Sequence, residues 1–195
     1  MAAETDGQLI WKSLRRLEAF EVVFDRHYDV VRRYCQRRVG FADGEEIASE
    51  TFVQAFAQRR RFDAERFSSA RPWLIGIANN LIRSHLRHED VRRRHWPVSI
   101  ALNSSEPEPG LDALAADEQA PALVAALSSI PVFDRETFLV VVVGELSYAE
   151  AAEVMGIPQG TVRSRVHRVR TTLRELLGSA EAINPGGVIE GADGE

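Results

Sequence analysis

Apolar residues return at three- and four-residue steps through most of the chain. Phe20, Val23, Phe24, Tyr28, Val31 and Cys35 form one such stripe, and Ile47, Thr51, Phe52, Ala55 and Phe56 form the next. This period belongs to amphipathic helices packed against a core. Gly40, Asp43 and Gly44 interrupt the pattern between the two stripes, with Asp43 read as a helix N-cap. A third helix is predicted to begin near Pro72, a residue suited to a first turn, and to run to about Arg94. On it Trp73, Leu74, Ile77, Ala78, Leu81 and Ile82 share one face, and Gly76, Asn80, Arg83 and Arg87 share another.

The second half repeats the helical pattern with different punctuation. Leu127, Ile130, Phe138, Leu139 and Val142 predict two helices broken at Pro131. The valine run 140–143 resembles a strand but sits inside a helical period, so burial must override propensity there. Ser147 with Glu150 three residues on is a capping-box pair. Gly156 then supplies a turn and Ile157 an apolar plug, and Pro158 to Thr161 open a second helix, with Thr161 a cap or phosphate contact. In that helix Val162, Val166, Val169 and Leu173 form the buried stripe, while Arg163, Ser164, His167, Arg168 and Arg170 point elsewhere. Cap, turn, plug and basic helix together describe a helix-turn-helix.

Between the halves the composition changes. Residues 97–120 contain Pro97, Pro107, Pro109, Gly110, Ser104, Ser105 and five acids, too little apolar surface to offset ordering entropy. The stretch reads as a flexible acidic linker, and the Gly-rich acidic residues 178–195 as a disordered tail. The expected architecture is all-α: an N-terminal extension (1–17), a helical lobe (18–96), the linker (97–120), a second helical lobe (121–177) and the tail. No internal repeat is visible.

Charge changes the picture once it is divided. The net charge of −5 combines +4 in residues 1–96, −5 in the linker, zero in residues 121–178 and −4 in the tail. Local basic clusters therefore survive an acidic total, and phosphate binding depends on local contacts. Five arginines between 163 and 174, with no acid before Glu175, suit a DNA major groove, where arginine can fork onto guanine or phosphate. Before the third helix, Arg59, Arg60 and Arg61 interleave with Phe62 and Phe67, a mixture suited to single-stranded nucleic acid. Taken alone, that lobe fits a solvated basic helix above core aromatics slightly better.

Other chemistry is thinly represented. His85, His88 and His95 share a helix face, but nothing completes a tetrahedral metal set, so no metal and no cofactor is expected. No nucleophile–base arrangement, phosphate loop or paired carboxylate marks a catalytic residue, which disfavours a helical enzyme. No apolar run approaches a bilayer span, and no leader pattern begins the chain, so membrane insertion and export are not expected. The lone Cys35 excludes an internal disulfide and reads as a buried packing thiol in a reducing cytoplasm.

These motifs together resemble a family. The succession L-S-Y-x-E-x-A-x-x-x-G-x-P-x-G-T-V-R-S-R-x-x-R-x-R from Leu146 to Arg170 resembles the −35-reading domain of extracytoplasmic-function (ECF) sigma factors of the sigma-70 family. Asp43 to Phe52 resembles the family's D-A-E-D-L-V-Q-E-T-F segment, and Pro72 to Leu81 its P-W-L-x-x-I-A-R-N-L helix. The resemblance implies that residues 18–96 are sigma region 2, a bundle that docks on core RNA polymerase and reads and melts the −10 element. It implies that residues 121–177 are sigma region 4, the −35 reader.

By that resemblance, Asp43, Glu46, Ser49, Glu50 and Gln54 would meet the clamp helices of the polymerase largest subunit. Arg61, Phe62, Phe67, Asn80, Arg83 and Arg87 would meet the −10 element, with the loop at about 62–70 holding an extruded base. Thr161, Arg163, Ser164, Arg165, His167, Arg168 and Arg170 would bind −35 DNA, while the lobe's apolar surface meets the flap of the second-largest subunit. The linker would thread toward the RNA path. An anti-sigma factor is a further expected partner. Ser49, Asn79, Ser84 and Ala151 depart from the family's usual Gln, Arg, Asp and Ile. The competing reading is a stand-alone helix-turn-helix regulator, which would bind a palindromic duplex tightly by itself.

Overall fold

A computed structural model describes residues 4–67, 69–95 and 120–177. Residues 97–119 of the expected linker and the expected tail lie outside the described ones, as does the His95 side chain; Ala120, the last position assigned to the linker, opens a helix. Every described element is helical. In order they are α1 (Asp6–Ser13), α2 (Ala19–Val39), α3 (Phe41–Gln58), a 3₁₀ turn (Arg59–Arg61), α4 (Ala70–His95), α5 (Ala120–Ser129), α6 (Val132–Val142), α7 (Tyr148–Met155) and α8 (Gln159–Leu177).

Helices α2, α3 and α4 pack as the first bundle around Val23, Val31, Tyr34, Ala48, Phe52, Leu74 and Ile82, all buried. Phe20 meets Phe56 and Phe24 meets Phe52 edge-on, so the two predicted stripes face each other across α2 and α3. Gly44 allows this close crossing: a Cβ there would lie 2.5 Å from the Gln36 Cα. The start of α3 differs from expectation. Gly40, at φ 87°, occupies the N-cap position, and Asp43 lies inside the first turn. Only a residue tolerant of positive φ can connect two helices so abruptly.

The bundle also extends further toward the N-terminus than residue 18. Helix α1 begins with a capping box, Thr5 with Gln8, and buries Leu9 and Ile10 in the same core. Its short apolar pair gives almost no periodic signal, which is why it reads as an extension in sequence.

In the second lobe, α8 lies across α5, α6 and α7. Val162, Val166, Val169 and Leu173 are all buried, as their spacing predicts. Val140 and Val141 are buried within α6, so packing does override valine's propensity.

The two lobes pack against each other. Helix α4 carries Ile75 fully buried and Gly76 3.5 Å from Val154 of α7, measured from an ideal Cβ. Beneath this contact the Arg38 guanidinium, from the end of α2, bonds Glu136 of α6 at 2.7 Å. Their side chains are only 4% and 9% exposed. Arg38 also donates to the Tyr34 hydroxyl at 2.9 Å and the Asn79 side-chain oxygen at 3.3 Å, and Tyr34 donates to that same oxygen. Burial alone would lower the Arg38 pKa, but Tyr34 and Glu136 beside it hold it above its ordinary value.

Cys35 is fully buried beside this network, and burial pushes its thiol up to about 12, against a smaller opposing pull from Arg38. A thiol so protonated is a poor nucleophile at neutral pH. A thiol-reactive disulfide reagent is therefore expected to label the native protein negligibly and to label it stoichiometrically in denaturant. Rapid labelling of the native form would contradict this packing.

Candidate nucleic-acid interface

Local sequence builds the helix-turn-helix from three devices. Ser147 Oγ accepts from the Glu150 N–H at 3.2 Å, and the Glu150 carboxylate accepts from the Ser147 N–H at 2.8 Å, closing the capping box at α7. Gly156 ends that helix in the left-handed region, at φ 65°. Thr161 lies within the first turn of α8 and not at its cap; its N–H bonds the Pro158 carbonyl at 2.9 Å. Ala151, the departure on α7, is fully buried.

Because the four apolar residues of α8 point inward, Arg163, Ser164, His167 and Arg168 are left exposed on its outer side. Thr161 and Arg170 are half-buried at the edges of that face. Arg165 differs from its neighbours. It turns inward, with Nε 3.5 Å from Asp134 Oδ1 and Nη1 bonding Thr137 Oγ1 at 3.3 Å. Its side chain ties α8 to α6 and is half-buried, unlike those of its exposed neighbours. Arg168 reaches the other Asp134 oxygen at 3.2 Å while remaining 63% exposed. Asp134, nearly buried in the first turn of α6, thus anchors one arginine and orients another. Sequence spacing gives no hint of this role.

A second cluster surrounds the turn between α3 and α4. Phe62 and Phe67 stack with centroids 6.2 Å apart, and Trp73 meets Phe62 edge-on at 5.2 Å. Asp63 holds the turn by accepting from the Glu65 and Arg66 N–H groups at 3.0 and 3.2 Å. Arg61 is exposed beside it, and Asn80, Arg83 and Arg87 are exposed along α4. Asn79, one of the departures, faces the opposite way into the Tyr34–Arg38 network. Ser84 is half-buried. The second lobe covers part of this cluster, because Arg66 bonds both the side chain and the backbone oxygen of Glu153 on α7, the latter at 2.7 Å.

A third surface is the outer face of α3. Glu46, Ser49 and Glu50 are exposed, and Gln54 bonds Glu50 at 3.1 Å. Val53, 62% exposed, continues the same face at helical spacing and adds an apolar element absent from the expected set. Asp43 lies apart, with Oδ2 3.3 Å from His85 Nε2. Among the described residues no group of histidine, cysteine and acidic side chains is placed to hold a metal ion. None of the helices there is long and apolar enough to cross a membrane.

Known proteins match the same two units. The family model for sigma-70 region 2 matches residues 23–92, and that for sigma-70 region 4 matches residues 121–173. The ECF RNA polymerase sigma factor SigC of Mycobacterium tuberculosis is 36% identical over 69% of this chain and 69% of its own. The RNA polymerase sigma factor CarQ of Myxococcus xanthus is 33% identical over 84% and 92%. Among solved structures, CnrH in complex with the cytosolic domain of CnrY superposes with a TM-score of 0.64 at 22% identity, covering 89% of this chain and 97% of that one. RpoE bound to the anti-sigma factor NepR, from Bartonella quintana, gives 0.61 at 22% identity, covering 82% and 97%. Helical units in the expected order, a helix-turn-helix with an outward basic face, and these matches agree: the chain belongs to the ECF RNA polymerase sigma factors of the sigma-70 family.

Proposed function

We propose that this chain is a non-catalytic subunit that works in the cytoplasm, selecting promoters while core RNA polymerase supplies the chemistry. It is an alternative sigma factor and not a stand-alone regulator. The observation that carries the division of labour is the outward face of α8. Four polar or basic side chains, Arg163, Ser164, His167 and Arg168, stand opposite a fully buried valine stripe, the arrangement a groove-reading helix needs. In this reading α8 enters the −35 major groove. The Phe62–Phe67 turn receives an extruded −10 base, and Asn80, Arg83 and Arg87 meet the adjoining strand. The α3 face of Glu46, Ser49, Glu50, Val53 and Gln54 docks on the clamp helices, with Asp43 at its edge. The flap of the second-largest subunit is assigned to the second lobe's apolar surface. An anti-sigma factor would compete for these polymerase-facing surfaces.

The closed packing adds a step. Since α7 lies over the Phe62–Phe67 turn, the lobes must part before both promoter elements can be held at once. Core polymerase, by binding each lobe separately, would draw the equilibrium toward the open form.

Gel shift on promoter DNA with and without core enzyme tests the proposal. Weak binding by the free chain and strong binding in its holoenzyme are expected; tight binding by the free chain to a palindrome would overturn it. Charge reversal at Glu46 and Glu50 to Lys is expected to impair holoenzyme assembly while leaving the helical content intact. Unchanged assembly would remove α3 from the docking surface.

A further inference from the structure

We infer that Asp6, on a helix preceding the region matched to the family, is a positioning residue for −10 recognition: it holds the Phe62–Phe67 turn and the start of α4 in their reading geometry. The inference rests on the assignment of that turn to the −10 element.

Four groups converge on this one carboxylate. Asp6 Oδ1 accepts from Arg26 Nη1 at 3.0 Å. Oδ2 accepts from the Ala70 backbone N–H at 2.8 Å and the Ser69 hydroxyl at 3.1 Å, and lies 2.7 Å from His27 Nε2. The side chain is only 7% exposed. Burial pushes the carboxyl up, but the Ala70 bond, His27 and Arg26 outweigh it and hold its pKa below the ordinary value. It is therefore an ionised acceptor at neutral pH.

The geometry makes this carboxylate a cap supplied from outside the helix it caps. The first N–H groups of any helix lack partners within it. Ser69 satisfies the Arg71 N–H at 3.2 Å from within the chain's own turn, and Asp6 satisfies the N–H of Ala70. The position from which Asn80, Arg83 and Arg87 project is thus set partly by α1.

A second contact fixes the other side of the turn. A Cβ on Gly7 would stand 2.8 Å from the Ala64 Cβ and 3.8 Å from Phe62 Cε1, so α1 lies directly on the aromatic turn. Recognition sites need their geometry held to a fraction of an ångström by supporting contacts. Asp6 and Gly7 provide two such contacts, one polar and one steric.

Selection from a promoter library randomised at both elements, using reconstituted holoenzyme, separates positioning from folding. For Asp6→Asn, enrichment of the preferred −10 bases is expected to fall about tenfold. Enrichment at −35 and affinity for core polymerase should stay at wild-type levels, which a general loss of fold would not permit. Gly7→Ala, which crowds the turn without touching the carboxylate, should also flatten −10 preference, and it decides the matter if Asp6→Asn fails to assemble. Wild-type −10 enrichment in both variants would overturn the role of α1. If the wild-type holoenzyme itself enriched no −10 sequence, the assignment of the turn to that element would fail instead.

Discussion

Replacing Glu136 with alanine is expected to part the two lobes. The Arg38 guanidinium would then sit buried with no counter-charge, and removing one partner of a buried pair costs about 3–5 kcal/mol. Arg38 is on α2 and Glu136 on α6, 98 residues apart in sequence. Separation of the lobes returns the guanidinium to water and so relieves most of that cost without unfolding either bundle. Glu136 Oε2 is also buried with no hydrogen-bond partner, so the closed form already carries one unsatisfied group. Small-angle scattering should show a larger radius of gyration for Glu136→Ala, with helical content unchanged. The double variant Arg38→Met with Glu136→Leu, which replaces the pair with apolar groups of similar size, should remain compact, because such swaps are close to neutral. A compact Glu136→Ala variant would mean that the apolar contacts of Ile75, Gly76 and Val154 hold the lobes without the ion pair.

Substitution on α8 should divide its arginines into two kinds. Arg163→Ala is expected to weaken holoenzyme binding to −35 DNA by about 1–3 kcal/mol, roughly 5- to 150-fold, and to relax base preference at one position. Uniform weakening across all sequences would make Arg163 a phosphate contact instead. Arg165→Ala should behave differently, since its partners are Asp134 and Thr137. Its loss is expected to lower the stability of the second lobe and leave Asp134 under-paired, with base preference preserved. Competition binding on substituted −35 duplexes, run beside urea denaturation, distinguishes the two effects. Equal loss of base preference in both variants would place Arg165 in the groove after all.

The residues that were legible in sequence are those whose partners lie nearby in the chain. The capping box of Ser147 and Glu150, the Gly156 turn and the valine stripe of α8 all depend on neighbours within a few positions. Their geometry follows from local rules. The roles that escaped depend on packing between distant segments. Ile75 falls outside the predicted apolar face of α4 because its burial comes from the second lobe, where Gly144 approaches it. Arg38 stands where the period of Val31, Tyr34 and Cys35 calls for an apolar residue, and that mismatch was a readable signal of a buried partner. Nothing in the sequence names Glu136 as that partner. Asp6 left no periodic signal at all, since α1 spans barely two turns.

The lobes' mutual packing also reshapes the expected picture of two units on a loose tether. The helical units and their order hold, while the contact between α4 and α7 and the Arg38–Glu136 pair make a closed form. Arg163 and Arg168 stay exposed in that form, whereas the Phe62–Phe67 turn is partly shielded by Glu153. The two candidate surfaces are therefore unequally exposed in the closed form.

The most direct test is in vitro transcription with purified core polymerase on a random promoter library, with and without this chain. The account predicts that adding the chain confers initiation at defined start sites sharing two spaced upstream motifs, and that Arg163→Ala alters the distal motif alone. Start sites identical to those of core enzyme alone would contradict it.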